Sequence, residues 1–148
     1  MKKTLLLAGI LSIALIARFA DVASLRRTVG LESAIRSNSV DVFASAFAEG
    51  RGNFVVEGSG TVTRILTDDN EGSRHQRFIV KLATGQTLLL AHNIDLASRV
   101  ENLAVGDTVD FKGEYEWNDR GGVMHWTHRD PAGRHEAGWI KHNGKIYQ

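Results

Sequence analysis

Histidine and tryptophan are concentrated near the C-terminus of this chain. Four of the six histidines and two of the three tryptophans lie within residues 123–142. A core does not need so many imidazoles in a short segment, so packing alone explains the cluster poorly. Imidazole titrates near neutral pH and binds transition metals, which suits it to catalysis and to ligand binding. We therefore expect the functional surface in this segment.

One hypothesis for this segment is a metal site. Imidazole nitrogens suit zinc, and three protein ligands with an open fourth position would leave room for water or substrate. Residues 125 and 128 point to opposite faces of a regular strand, so joint binding requires a bend near Thr127. The alternative is that the histidines act independently, on the surface or hydrogen-bonded to loop backbone. The predicted ligands of a divalent ion, zinc above all, are His125, His128, His135 and Asp130.

A second hypothesis is acid–base catalysis. Glu114 and Glu116 lie on one face of a predicted strand. Paired carboxylates act as acid and base in the hydrolysis of glycosidic or phosphodiester bonds when their surroundings differ. Alternating charge on the solvent face of a strand explains the same pattern without any reaction. The predicted catalytic residues are His92, His125 and Glu114.

A third hypothesis is a binding surface. His75 and Arg77 open one predicted strand and Asn93 closes the next, so antiparallel pairing brings these ends together. There they would hold an anion or form a buried hydrogen-bond network that fixes the barrel end. The tryptophans, with basic neighbours, would stack on a single strand or a sugar chain, or pack the C-terminal tail onto the barrel. The predicted ligand-binding residues are His75, Arg77, Asn93, Trp117, Trp126 and Trp139.

The elements that position these residues are predicted to be short strands. Val109, Phe111 and Tyr115 alternate with charged residues, which gives one strand a buried face and a solvent face. Three strands, a connection over 94–105 with room for one or two helical turns, and a final hairpin follow the order of a five-stranded Greek-key barrel. The predicted strands are 54–66, 75–83, 86–93, 108–117 and 122–128. The predicted fold is all-β with a short N-terminal helical region, centred on this small OB-like barrel.

A helix is predicted before the barrel. Val40, Phe43 and Phe47 recur at helical spacing, and Gly50 and Gly52 end the pattern. The spacing predicts a helix over 39–48 that packs on the barrel or serves as a linker, with binding to a partner as the alternative.

The N-terminus has the layout of a secretory signal. Lys2 and Lys3 precede an apolar run over 4–17, which is short for a membrane span. No clean small-residue cleavage motif follows, so cleavage and retention as an inner-membrane anchor both stay open. We predict a periplasmic or exported protein that contacts the membrane only through this segment. The predicted organisation is a signal or anchor over 1–23, a helical or linker segment over 24–52 and the barrel with a C-terminal tail over 53–148.

Composition narrows the classes of function. The chain has 18 basic and 17 acidic side chains, so no global field attracts it to nucleic acid or to an anionic membrane. Cysteine is absent, which excludes disulfides, thiolate catalysis and thiolate zinc sites.

Several longer motifs occur between Gly58 and the C-terminus. They are Asp68-Asp69-Asn70, His75-Gln76-Arg77-Phe78, Leu90-Ala91-His92-Asn93-Ile94-Asp95-Leu96-Ala97, Gly113-Glu114-Tyr115-Glu116-Trp117-Asn118, and Gly121-Gly122-Val123-Met124-His125-Trp126-Thr127-His128 with Asp130-Pro131. With these motifs the chain resembles a bacterial family of small exported proteins known only as domain of unknown function three-four-six-five. The resemblance implies a family and no particular reaction.

The predicted function is therefore ligand binding by an exported OB-like domain with a His/Trp-rich surface. The ligand classes that stay open are a single-stranded nucleic acid, an oligosaccharide and a small anion. The alternative is a hydrolase of phosphodiester or glycosidic bonds, with or without a metal ion.

Overall fold

The computed structural model describes residues 28–31 and 42–148 of the chain. Two compact units divide it, Met1–Ser37 and Asn38–Gln148. In the first unit, residues 28–31 are helical. Among the described residues, no helix is long and apolar enough to cross a membrane. The predicted signal or anchor over 1–23 lies outside the described residues, as do residues 24–27 and 32–41 of the segment over 24–52.

The second unit is a closed β-barrel with a C-terminal hairpin. Its strands pair in the order β1-β2-β3-β5-β4, and β1 also pairs with β4, which closes the barrel. The β3–β5 pair is parallel and the other pairs are antiparallel. This confirms the small five-stranded OB-like barrel. The strands are β1 (Phe54–Ile65), β2 (His75–Lys81), β3 (Thr87–Asn93), β4 (Thr108–Glu116), β5 (Val123–His125), β6 (Trp139–His142) and β7 (Lys145–Tyr147).

The connection between β3 and β4 contains no helix. It has two hydrogen-bonded turns, in which Ala97 N donates to Asn93 O and Asp107 N donates to Ala104 O. Between these turns the buried side chain of Gln76 donates to Val100 O and accepts from Val100 N, at 3.1 and 2.8 Å. A side chain thus satisfies the backbone groups that a helix would otherwise pair, so the helical turns predicted over 94–105 reduce to the one turn between Asn93 and Ala97.

A short helix closes one end of the barrel. Residues 42–49 are helical, and Phe43 and Ala46 are fully buried. The Phe43 ring lies 5.6 Å from that of Tyr115 and 6.2 Å from that of Phe111. A Cβ on Gly58 would come within 2.8 Å of the Phe43 ring, so glycine at this position leaves space for the ring. We call the buried Phe43 and Ala46 side chains of this helix the plug. The described part of the predicted helix therefore packs on the barrel, and residues 39–41 lie outside the described residues.

Strands β5 and β6 are two halves of one interrupted strand. His125 pairs with Glu114 and Trp139 pairs with Lys112, so residues 126–138, here called the insertion loop, stand opposite the single residue Gly113. The strand predicted over 122–128 therefore ends at His125. The predicted C-terminal tail instead forms β6 and β7, which extend the sheet along β4.

Candidate functional site

The neck of the insertion loop is fixed from inside the barrel. Gly138 N donates to His128 O at 3.0 Å, which ties the end of the loop to its beginning. Thr127 is fully buried, and its hydroxyl lies 2.8 Å from Nδ1 of His92. The carbonyl of Trp126 leaves no room for a Cβ on Gly138. The loop thus leaves the sheet in one defined direction.

His135 holds the loop against the outer surface of β4. Its Nε2 lies 2.7 Å from a carboxylate oxygen of Glu114, and its Nδ1 lies 3.1 Å from the Glu136 carbonyl. Both partners only accept hydrogen bonds, so both ring nitrogens donate and the ring is favoured as an imidazolium. Burial acts to lower the pKa of His135, but the hydrogen bonds to Glu136 and Glu114 outweigh it and raise the pKa.

Trp126 is stacked on this imidazolium. The two rings are nearly parallel, at 6°, with centroids 4.2 Å apart. The His128 ring also contacts Trp126, with centroids 5.4 Å apart. Trp126 has a φ of 54°, which is the left-handed region, whereas the other non-glycine residues with positive φ in the described ranges are asparagines. A bulky residue there stores roughly 1 to 3 kcal/mol of strain, and such strain concentrates at functional sites.

His125 lies between two carboxylates on the same outer surface. Its Nε2 is 3.7 Å from an oxygen of Glu114 and 3.6 Å from an oxygen of Glu116. Both distances exceed hydrogen-bonding range, and Nε2 is shielded from solvent without a partner among the described residues. An unsatisfied buried polar atom is uncommon in a native protein and calls for an explanation.

Negative charge dominates this surface. Lys112 contacts Glu136 at 2.8 Å and Glu57 at 3.6 Å, and the hydrogen bond with Glu136 is the main cause of its raised pKa. We call this surface the acidic wall. It consists of Glu57, Glu114, Glu116 and Glu136 with the basic groups Lys112, His125 and His135.

The four predicted metal ligands do not come together. Asp130 accepts hydrogen bonds from the backbone N–H groups of Ala132, Arg134 and His135, and these bonds hold its pKa below the usual range. His128 uses Nδ1 on the Arg129 carbonyl, at 2.8 Å. Within the described ranges, no group of three or more His, Asp or Glu side chains is placed to hold a metal ion. The geometry of His128 matches the alternative, a histidine hydrogen-bonded to loop backbone.

The predicted catalytic residues fall on two sides of the sheet. Glu114 and His125 are paired neighbours on the outer surface. His92 is fully buried, and burial lowers its pKa to about 4. Its Nε2 donates to Ser98 O at 3.1 Å, so its Nδ1 accepts from the Thr127 hydroxyl. His92 thus faces the barrel interior and supports the neck of the insertion loop.

The predicted ligand-binding residues are dispersed. His75 hydrogen-bonds the Ser73 carbonyl, Arg77 donates to Thr67 O, and Asn93 accepts from Asp95 N. These three residues therefore hold the segments just before β2 and just after β3, at the open end of the β2–β3 hairpin. Trp117 donates to Phe47 O and stacks on the Phe47 ring, which joins the helix to the barrel. Trp126 and Trp139 border the acidic wall, since Trp139 pairs with Lys112 on β4.

The comparison with family models agrees with the motifs. The family described as Protein of unknown function (DUF3465) matches residues 28–148. The chain belongs to this family. The DUF3465 match includes the whole barrel, the insertion loop and the β6–β7 hairpin. A search of curated proteins gives no match.

Several residues of this DUF3465 site are inconspicuous in the sequence. The ion pairs of the acidic wall involve Lys112, Glu57 and Glu136, and the neck of the insertion loop involves Thr127. The positions of these residues depend on strand register and on the path of the loop. One usable signal was present. Asn143-Gly144, with φ of 48° and 78°, is a dipeptide that favours tight hairpins, and it would have revealed β6 and β7 and hence the interruption in the strand.

Proposed function

We propose that this DUF3465 protein is an exported binding domain that holds an oligosaccharide on the acidic wall. The observation that carries the proposal is the unpartnered Nε2 of His125 between Glu114 and Glu116. A sugar hydroxyl both donates and accepts, so it can donate to a carboxylate while it satisfies the imidazole. Glu116 is the more exposed of the two carboxylates and is free to move aside when a ligand enters.

The charge of the acidic wall distinguishes between a single-stranded nucleic acid, an oligosaccharide and a small anion as its ligand. The acidic wall holds four carboxylates, and the positive charges beside them are those of Lys112 and the His135 imidazolium. A phosphate backbone or a small anion is repelled by such a surface, since nucleic-acid binding depends on basic side chains that neutralise phosphates. A neutral polyhydroxylated ligand is not subject to this electrostatic repulsion.

The surroundings of the wall suit the same ligand. Trp126 and Trp139 border it with aromatic surface, and OB barrels use exposed barrel surface and loops to bind oligosaccharides as well as oligonucleotides. The strained backbone of Trp126 supports a functional role for this corner of the barrel.

A hydrolase is the second candidate. Glu114 is hydrogen-bonded to His135, whereas Glu116 is largely exposed, so the two carboxylates have different surroundings. Different surroundings are what an acid and a base on one glycosidic bond require. Release of reducing ends from a bound glycan would favour this candidate over simple binding.

The test is a glycan array probed with the purified protein, followed by titration of the strongest glycan. Glu116→Gln and His125→Ala should each weaken binding by about tenfold, as expected when a hydrogen bond to a charged or buried group is lost. Glu71→Gln, an exposed glutamate in the β1–β2 turn, is the matched control and should bind as the parent does. Absence of any bound glycan, or equal binding by all three variants, would contradict the proposal.

Export is tested separately. A reporter enzyme that is active only outside the cytoplasm, fused after Gln148, should be active if residues 1–23 direct the chain across the inner membrane. A silent reporter, with an active cytoplasmic reporter at the same point, would refute export and leave the binding proposal unaffected.

A further inference from the structure

A second surface of the barrel has the opposite character to the acidic wall. We call it the β2–β3 face. Arg64 pairs with Ile79, Ile79 with Leu89, and Leu89 with Val123, so these positions form one row across β1, β2, β3 and β5. At the usual spacing of neighbouring strands, the row is about 14 Å long. Inward neighbours such as Phe78, Val80 and Leu88 fill the barrel, so the row itself faces outward.

The charged strand residues of the β2–β3 face are all basic. Arg64 and Lys81 are exposed, and neither side chain has an ion-pair or hydrogen-bond partner in the described part of the chain. Arg77 faces the same way and is partly neutralised by Asp69, at 3.7 Å. No outward residue of the described β2, β3 and β5, or of β1 from Thr61 onward, carries a carboxylate.

The apolar part of the face is aliphatic. Ile79, Leu89 and Val123 are half-buried in the free protein and therefore still offer surface to a partner. The same outward positions include no Phe, Tyr or Trp. Proteins that bind single-stranded nucleic acid combine basic grooves with aromatic side chains on which bases stack, and this face lacks the second component. Aliphatic side chains beside cations suit a polypeptide that carries both apolar and acidic residues.

We propose that the β2–β3 face docks an acidic polypeptide segment. Apolar side chains of the segment lie on the row of Ile79, Leu89 and Val123, and its carboxylates pair with Arg64 and Lys81. The charge distribution also sets the orientation, because an acidic segment is repelled by the acidic wall and attracted to this face. The inference does not depend on the ligand of the acidic wall.

The test is selection from a random peptide display library on the immobilised protein. We expect enrichment of peptides that combine Asp or Glu with Leu, Ile, Val or Met. The double variant Arg64→Glu/Lys81→Glu should bind the enriched peptides at least about tenfold more weakly, and binding by the parent should weaken as salt is raised. Leu89→Thr should weaken binding without changing the net charge.

The matched control is Arg120→Glu/Lys141→Glu, which makes the same change in net charge at two other exposed cations. It should bind the enriched peptides nearly as the parent does. Equal loss in both double variants would show that net charge alone governs binding and would overturn the proposal. So would enrichment of peptides without acidic residues. Tight binding of an oligothymidylate that Arg64→Glu/Lys81→Glu abolishes would assign the face to nucleic acid instead.

Discussion

At the scale of single residues, Trp126 combines an unfavourable backbone conformation with a favourable ring contact. Its φ of 54° costs energy that the stack on His135 and the fixed neck of the loop must offset. Trp126→Gly and Trp126→Ala both remove the ring, but only glycine adopts this conformation without strain. We expect Trp126→Gly to be more stable than Trp126→Ala by about 1 kcal/mol, measured by urea unfolding. An alanine variant as stable as the glycine variant would mean that the left-handed conformation is not kept.

His92 gives the protein a stability that depends on pH. Burial lowers its pKa from 6.5 to about 4, so between these values the unfolded chain binds a proton that the folded chain does not. Protonation therefore favours unfolding, and stability that is present above pH 6.5 is lost as the pH falls toward 4. The full loss is about 3 kcal/mol, because one unit of pKa corresponds to about 1.4 kcal/mol. His135, with its raised pKa, contributes in the opposite sense and loses its stabilising effect as the pH rises.

The measurement is the free energy of unfolding in urea at several pH values between 7 and 4.5 for the parent and for His92→Gln. The variant lacks the titrating group, so its stability should fall much less over this range, whatever its stability at pH 7. A dependence of stability on pH that is the same in the parent and in His92→Gln would rule out His92 as its source.

At the scale of elements, the insertion loop is separable from the strand that carries it. Residues 126–138 stand opposite Gly113 alone, and His125 and Trp139 both face outward on either side of that position. Replacing the loop by a single threonine should join β5 and β6 into one continuous strand. We expect the β-sheet circular dichroism and a cooperative unfolding transition to persist, while binding to glycans of the array is lost. Loss of the folded barrel would show that the loop is required for strand pairing.

In the same elements, local sequence patterns specify some features, and the complete fold alone specifies others. The barrel strands were predictable because inward Val109, Phe111 and Tyr115 alternate with outward charges, and one slip of register would bury the charges. The end of β5 was not predictable, since it depends on a left-handed Trp126 that is held by a stack formed only in the folded loop. Likewise, the meeting of Glu114 and His135 requires the path of the whole loop, which no local pattern specifies.

At the scale of the whole molecule, the barrel has two unlike outer surfaces around one core. The acidic wall lies on β4, the end of β5, the insertion loop and the first half of β1, which carries Glu57. The β2–β3 face lies on the second half of β1, on β2 and β3, and at the start of β5. Both surfaces consist of outward-facing residues of a single closed sheet. The structure of each surface therefore depends on the packing of the same barrel interior. The stability of that interior is therefore a condition for either binding proposal.

The helix at residues 42–49 belongs to this interior. Phe43 and Ala46 are fully buried, and Phe43 packs against Phe111 and Tyr115. A chain that begins at Asn38 retains this plug and should fold with a stability close to that of the full chain. A chain that begins at Asn53 lacks it, and we expect a loss of roughly 3 to 5 kcal/mol, as for removal of a buried aromatic side chain.

Two single substitutions in the full chain distinguish the loss of the buried Phe43 ring from the effect of shortening the chain. Urea unfolding is the measurement. Phe43→Ala should reproduce most of the loss seen on starting at Asn53, because it removes the ring that fills the barrel end. Phe47→Ala, on the same helix but 37% exposed, should cost much less, although it also removes the stack on Trp117. If Phe43→Ala and Phe47→Ala cost the same, or if the chain starting at Asn53 is as stable as the one starting at Asn38, the helix is an appendage and not part of the core.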